Sequence, residues 1–458
     1  MVAIGVFMST LDGSIVNIAL PSIMKHLNAQ LSTIEWVTMV YLLIVSSLLL
    51  SFGRLSDIRG RRWVYSRGLA IFSVGSLFCG ISYTAAWLIF SRAFQGFGAA
   101  MIMSCTPALM ADVFPVSERG KAMGLVGMVV ASGLTLGPAI GGWLLSYFSW
   151  QFIFYINVPI GIITGIFATK LLRGTKADIS HPEAFDWPGT FFLLFCASPF
   201  LLALTHAYQW GYTSTQTLSL LLVSLLATLG FIRTEIQSPH PLIQPLLLKI
   251  RLFTFPVISA MILFIGLFTM VFLMPFFLMQ PCGFSVRQAG LIMVTPFVFL
   301  SVFSPLAGAL SDRIGSQMLC TVGMVILSIG LFLLSQLMPL TSPFPAVWRL
   351  AIVGFGISIF NAPNSSLIMS SVPPKYMGVA SGTVATARNL GMVIGIAIAG
   401  TVFNTVFHTL SGGIHLKSYL PALESAYMPA FRYAMLSGCM VVMIGIPITF
   451  FRGSGGKE

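Results

Sequence analysis

Asp12 stands inside an apolar stretch, 2–24, that holds no other charged residue. A carboxylate in such a setting is costly unless it faces water or a partner, and an ionisable residue placed there is a functional candidate by default. The chemistry open to it is proton uptake and release. The bland alternative is a structural carboxylate held by hydrogen bonds from neighbouring segments. Three arginines share the setting: Arg92 in LIFSRAFQGFGAA at 88–100, Arg349 in the run 346–369, and Arg388 in TARNLG within 378–403. Arg92 suits either a proton relay or a fixed counter-ion, and sequence leaves open whether Asp12 is its partner. Arg349 lies nearer the end of its run, where a long side chain reaches the interface. Arg388 lies deeper, and either lines a cavity or packs helices. Glu35, beside Trp36, opens the second apolar run. It reads as an interfacial residue or helix cap, or as a second titratable group near the outer mouth. Asn17, Asn361 and Asn364 are polar residues within apolar runs, suited to a bound compound or to hydrogen bonds between helices.

The elements that must position these residues follow from composition. The chain has 458 residues, 57% of them hydrophobic and 8% charged, with a mean hydropathy of +0.94. A soluble domain is about 25% charged, so a water-facing surface of this size cannot be built. Soluble enzymes, disordered chains and disulfide scaffolds are excluded. Fourteen apolar runs of roughly 20 residues are bounded by charges, Gly or Pro: 2–24, 34–53, 64–83, 86–110, 122–147, 152–172, 188–206, 215–232, 254–279, 289–310, 317–338, 346–369, 378–403 and 428–451. Backbone groups in lipid must be satisfied internally, so the runs predict helices. The alternating polarity of a barrel is absent. The fold class expected is an all-α polytopic membrane protein.

The net charge is +12. With both termini in the cytoplasm, seventeen of the 24 basic residues fall on the inner side, four on the outer and three inside spans. This positive-inside bias sets the orientation, and no nucleic-acid partner is expected. The first run is no signal peptide, because it lacks a basic leader and carries Asp12. The chain enters its first span at once, which leaves room for a short cytoplasmic tail ahead of it. The six cysteines form no CxxC or CxH pattern, so neither a metal nor another cofactor is expected. The absence of a GxxxxGK[ST] loop disfavours a nucleotide-driven pump.

An internal repeat runs through the chain. GRLSDIRG at 53–60 returns as GALSDRIG at 308–315, and GFG at 96–98 returns at 354–356. Pro115, Gly120 and Gly124 are echoed by Pro373, Gly378 and Gly382. One nearly constant offset across several elements predicts two parallel six-helix halves, 1–172 and 254–458. The segment 173–253 is then an inserted two-helix hairpin with its linkers. Two such halves are the layout of a rocking transporter with a site between them.

Two further motifs act through backbone and charge. In GRLSDIRGRR at 53–62, Gly53 permits close helix approach and Gly60 a tight turn. Asp57 can pair with Arg61 or Arg62, and the copy retains Asp312. Such a cluster can latch the inner side and break when the halves move. In GLTLGPAIGG at 133–142, Gly133, Gly137, Gly141 and Gly142 form small faces for close packing. Pro138 removes a helix hydrogen bond and allows bending.

Together these motifs are similar to those of the major facilitator superfamily, over essentially the whole chain. GRLSDIRGRR resembles its motif A, LIFSRAFQGFGAA its motif B, and GLTLGPAIGG its motif C, a signature of proton-coupled exporters. STLDGSIVNIALP at 9–21 resembles the first-span signature of the fourteen-spanner drug:proton antiporters of the EmrB/QacA type. Relatives that export dications carry acids in late spans, whereas the last six runs here have none in their interiors.

The resemblance implies a major facilitator fold with 14 transmembrane helices in a bacterial cytoplasmic (inner) membrane. It implies a non-enzymatic, proton-coupled exporter of amphipathic, cationic or neutral drug-like compounds. The expected partners are lipid, protons and the exported compounds, with a periplasmic adaptor protein where the cell has a second membrane. A porter for a defined metabolite is the first alternative, and a non-transporting sensor the second.

Overall fold

Each of the fourteen apolar runs folds as helix over most of its length in the computed structural model, which describes residues 2–113, 119–171, 187–237, 244–373, 376–417 and 419–452. The long helices are α1 (Val2–His26), α2 (Leu31–Arg59), α3 (Arg61–Gly80), α4 (Ala85–Val113), α5 (Arg119–Tyr147), α6 (Asn157–Leu171), α7 (Trp187–Trp210), α8 (Thr215–Gln237), α9 (Arg251–Met279), α10 (Val286–Ile314), α11 (Ser316–Ser335), α12 (Phe344–Ser370), α13 (Met377–Leu410) and α14 (Glu424–Phe450). Among the described residues, twelve helices are long and apolar enough to cross a membrane. The other two are α3, which opens on two arginines, and α6, which has 15 residues. Several helices outrun the apolar run that predicts them, α2 and α13 most clearly. Hydropathy changes where lipid would end, but the hydrogen-bonded backbone continues past that point.

The repeat seen in sequence has a packing counterpart. In the first half α1 packs on α5, α2 on α4, and α3 on α4 and α6. In the second half α9 packs on α13, α10 on α12, and α11 on α12 and α14. The two GFG segments do the same job. A Cβ on Gly98 would stand 2.7 Å from the Gly68 carbonyl oxygen, and one on Gly356 would stand 2.9 Å from that of Gly323. Glycine is needed at both places because two backbones touch. The GRLSDIRG and GALSDRIG segments end alike: Gly60 and Gly315 hold φ of 93° and 88°, a conformation that a Cβ penalises.

Two seams join the halves, α5 against α10 and α2 against α13. In the first, a Cβ on Gly142 would stand 2.9 Å from the Val286 carbonyl oxygen and 3.2 Å from the Gly290 Cα. The Thr135 and Ser301 hydroxyls lie 3.3 Å apart further along it. In the second, the Thr386 hydroxyl donates to the Ser46 carbonyl at 3.4 Å.

Helices α7 and α8 pack on each other, with the Ser224 hydroxyl donating to the Cys196 carbonyl at 2.6 Å. Helix α7 also lies on α2 and α13. Thr401 donates to the Leu204 carbonyl at 3.0 Å, the Tyr212 and Thr405 hydroxyls meet at 2.9 Å, and the Gln209 amide donates to Gln30 Oε1 at 3.1 Å.

One charge differs from its sequence reading. Arg452, expected as an exposed loop cation, is buried and donates to Asn364 Oδ1 at 3.0 Å. It follows the last turn of α14, close enough to the end of α12 to dock there.

The seam glycines give a direct test. Gly142→Ala and Gly290→Ala each push a methyl into backbone across the α5–α10 seam. Overpacking of this kind costs about 1–3 kcal/mol, so both variants are expected to melt at a lower temperature in detergent. Gly127→Ala, with nothing within 4 Å of its Cβ, is expected to melt unchanged or slightly higher, since alanine favours helix.

Candidate functional site

Asp12 on α1 bonds two other helices, α4 and α6. Arg92 on α4 donates Nη1 to its Oδ2 at 2.5 Å. Gln95, one turn further along α4, donates Nε2 to Oδ1 at 2.9 Å, and Asn157, the first residue of α6, donates Nδ2 to the same oxygen at 2.8 Å. Gln95 Nε2 also reaches the Ser76 hydroxyl on α3 at 2.8 Å. Asp12, Arg92 and Gln95 are 0% exposed, so the pair is desolvated and its stability rests on geometry. A buried ion pair recovers its desolvation cost only when the remaining polar atoms are also satisfied. Here Asp12 accepts from three side chains. Arg92 also donates Nη1 to Gln95 Oε1 at 2.6 Å and Nε to the Val37 carbonyl of α2 at 3.1 Å. Its guanidinium carbon stands 4.1 Å from the centre of the Tyr41 ring, a cation–π distance. The Arg92 Nη2 has no partner among the described residues. A proton placed on Asp12 removes the charge that holds Arg92, so changing the charge weakens this junction.

The motif C glycines lie on the part of α1 that carries the acid. A Cβ on Gly137 would stand 2.6 Å from Ser14 Cβ, and one on Gly141 2.6 Å from Ile18 Cγ2. A Cβ on Gly133 would collide with the Thr10 hydroxyl. Ser14 donates to the Leu134 carbonyl at 3.0 Å. Helix α5, with Pro138 inside it, is thus wedged between α1 and α10.

The other candidates scatter. Asn17 bridges α1 and α2, accepting from the Thr38 hydroxyl at 3.3 Å, which matches its packing alternative. Glu35 is not the cap of α2, a place that Gln30 takes. It lies within α2, fully buried, and neither carboxylate oxygen has a hydrogen-bond partner among the described residues. A Cβ on Gly400 of α13 would run into that carboxylate, so Glu35 sits in the second seam. Arg349, the repeat mate of Arg92, donates to the Pro345 carbonyl of its own helix at 2.8 Å and lies over Trp348. Arg388 reaches Ser365 Oγ at 2.8 Å, and Asn361 lies one turn of α12 before that serine.

At the α2–α3 turn, Arg61 Nη1 donates to the Ala108 carbonyl at 3.4 Å. Arg67, from the next turn of α3, stacks on Trp63 at 4.1 Å. Gly53 lies along α4, its Cβ position 4.0 Å from Ser104 Cβ. The side chains of Asp57 and Asp312 fall outside the described residues. No group of three or more His, Cys, Asp or Glu among the described residues is arranged to hold a metal.

The profile of the major facilitator superfamily matches residues 2–396. The chain belongs to the major facilitator superfamily. Among the relatives of this transporter is the riboflavin transporter RibZ of Clostridioides difficile (strain 630), 34% identical over 452 residues, 98% of this chain and 96% of the relative. The multidrug transporter protein MdtP of Bacillus subtilis (strain 168) is 32% identical over 434 residues, 94% and 79% of the two chains. A solved bacterial homolog of the human lysosomal transporter Spinster, titled as inward-facing and unoccupied, superposes with a TM-score of 0.69 at 16% identity, over 98% of this chain and 95% of that one. The facilitator is thus an all-helical, multi-pass membrane transporter rather than an enzyme.

Sequence reasoning missed Gln95, Asn157 and Ser76. Gln95 carried a signal: an amide three residues from Arg92, hence on the same helix face. Asn157 opens the sixth run, and nothing local marks it as a partner of a residue 145 positions earlier.

Removing one partner of a buried pair costs about 3–5 kcal/mol, because a bare charge remains. Arg92→Met is therefore expected to melt well below the native protein. The double variant Asp12→Asn/Arg92→Met is expected to recover most of that loss. A double-mutant cycle on thermal unfolding checks this, and additive losses would contradict the pairing.

Proposed function

We propose that this transporter is a proton-coupled exporter of amphipathic, drug-like compounds, working by alternating access as a fourteen-span antiporter of the EmrB/QacA type. The observation that carries the reading is the buried Asp12–Arg92 junction, which ties α1, α3, α4 and α6 through one titratable carboxylate. Protonating Asp12 removes the negative half of the pair and leaves Arg92 uncompensated. The same stretch of α1 seats the motif C glycines, so a shift of α1 passes to α5 and across Gly142 to Gly290 on α10. A local charge change then reaches the seam between halves 1–172 and 254–458.

Glu35, a second buried acid in the α2–α13 seam, is assigned the second protonatable position. Asp57, Gly60, Arg61 and Arg62 at one inner turn, with Asp312 at the other, are assigned the latch. The basic residues place both termini and both of these turns in the cytoplasm of a bacterial cell. The hairpin at 173–253 adds two spans to the twelve of the halves.

A porter for a defined metabolite is the second reading. It is favoured by one observation, the match to a riboflavin transporter over nearly its full length.

Purified protein in vesicles, with a pH indicator inside or outside, distinguishes these readings from a non-transporting sensor. Addition of an accepted compound from a panel of drugs and flavins is expected to release protons from the native protein. Asp12→Asn leaves Arg92 buried without its carboxylate and is expected to melt lower; assayed below that melting temperature, where it remains folded and inserted, it is expected to reduce the signal to background. Undiminished proton release by that variant sinks the coupling role.

A further inference from the structure

The second half of the molecule holds a cation that no anion meets among the described residues. Arg388 lies inside α13, away from both helix ends. Its Nη2 donates to Ser365 Oγ on α12 at 2.8 Å, and its guanidinium carbon stands 5.6 Å from the centre of the Phe264 ring on α9. Its Nε is buried without a partner among the described residues. Between Arg251 and Phe450 the sequence contains two acids, Asp312 in the last turn of α10 and Glu424 at the start of α14. Both belong to helix ends, and Glu424 accepts from the Tyr419 hydroxyl.

Arg92 shows the contrast. In the first half an arginine inside a helix is neutralised by a carboxylate, an amide oxygen and a backbone carbonyl. Arg388 has one serine hydroxyl, and that hydroxyl already donates to the Asn361 carbonyl at 2.8 Å. A planar guanidinium presents donors in a fork that matches a carboxylate or phosphate through two parallel hydrogen bonds. An arginine kept in an apolar bundle without a protein anion has that fork unfilled, at an electrostatic cost. Arg388 remains partly exposed as a residue, so a solute can reach it. The Phe264 ring beside it supplies an apolar face, and Asn361, also partly exposed, adds an amide one turn away on α12.

We propose that Arg388, flanked by Ser365, Asn361 and Phe264, is the anchoring residue of the transported compounds, and that these carry a carboxylate on a flat apolar body. The proposal rests on the transporter reading and reverses the substrate charge expected from the resemblance. On this reading the Arg92 site is neutralised within the protein and Arg388 by its cargo. One charge-assisted hydrogen-bonded pair contributes about 1.5–3 kcal/mol, which is about tenfold or more in affinity.

The test uses the purified full chain in detergent and three fluorescent probes of one ring system: pyrene-1-carboxylate, 1-pyrenemethylamine and 1-pyrenemethanol. The native protein is expected to bind the carboxylate about tenfold more tightly than the amine, with the alcohol between them. Arg388→Met is expected to erase that order while retaining the alcohol affinity, which reports a folded site. Arg388→Lys, which keeps the charge and loses the fork, is expected to keep part of the preference. Equal or tighter binding of the amine by the native protein, an unchanged order in Arg388→Met, or no pyrene binding at all each overturns the assignment. A carboxylate preference that disappears in Arg388→Met, in a protein that releases no protons in vesicles, upholds the site and overturns the transport reading.

Discussion

A single desolvated ion pair sets the terms for the first half of this molecule. Asp12 and Arg92 are both sealed from solvent, and neither could remain there alone. Gln95, Asn157 and the Val37 carbonyl add hydrogen bonds that support their mutual attraction. That network fixes the relative placement of five helices more tightly than apolar packing would. Leucine and phenylalanine faces tolerate small slides, whereas three donors converging on one carboxylate do not. The coupling chemistry proposed for Asp12 and the architecture of the bundle are therefore one arrangement.

Much of the fold was legible in the sequence because the bilayer leaves so few options. Hydropathy located the runs, and Gly60 and Gly315 marked turns whose backbone later proved to need glycine. The duplicated GFG marked the repeat, and the structure uses it at two equivalent helix crossings, Gly98 on Gly68 and Gly356 on Gly323. The site was half legible. Asp12 and Arg92 stood out because charges are scarce in apolar runs. Their pairing was hidden because residues 80 positions apart carry no mutual mark. Gln95, Asn157 and Ser76 were hidden because amides and hydroxyls are common in membrane helices. Glu35 was read from its position near a helix start, which says nothing of the neighbour across the seam. Its burial comes from Gly400, a residue with no side chain to advertise the contact.

The two halves share a scaffold and differ in charge. Arg92 and Arg349 stand on corresponding helices, α4 and α12, yet the first is locked into a network and the second bonds its own helix near an end. Close-packing glycines recur in both copies, since both copies must pack. Asp57 of the turn recurs as Asp312, but the buried acids Asp12 and Glu35 have no copy in the second half. Where a repeat keeps its glycines and loses its buried carboxylates, the chemistry belongs to one copy.

The hairpin formed by α7 and α8 brings a mechanical consequence. Helix α7 is hydrogen-bonded to Gln30 just ahead of α2, and to Thr401 and Thr405 near the end of α13. The second seam thereby gains side-chain hydrogen bonds from the hairpin at one extremity. Two rods bound at one extremity part by tilting rather than by sliding. Helix α2 has 29 residues, or about 43 Å at 1.5 Å per residue, so each degree of tilt opens the free extremity by about 0.75 Å. A strap of this kind acts as a fulcrum, and the long helices are its levers.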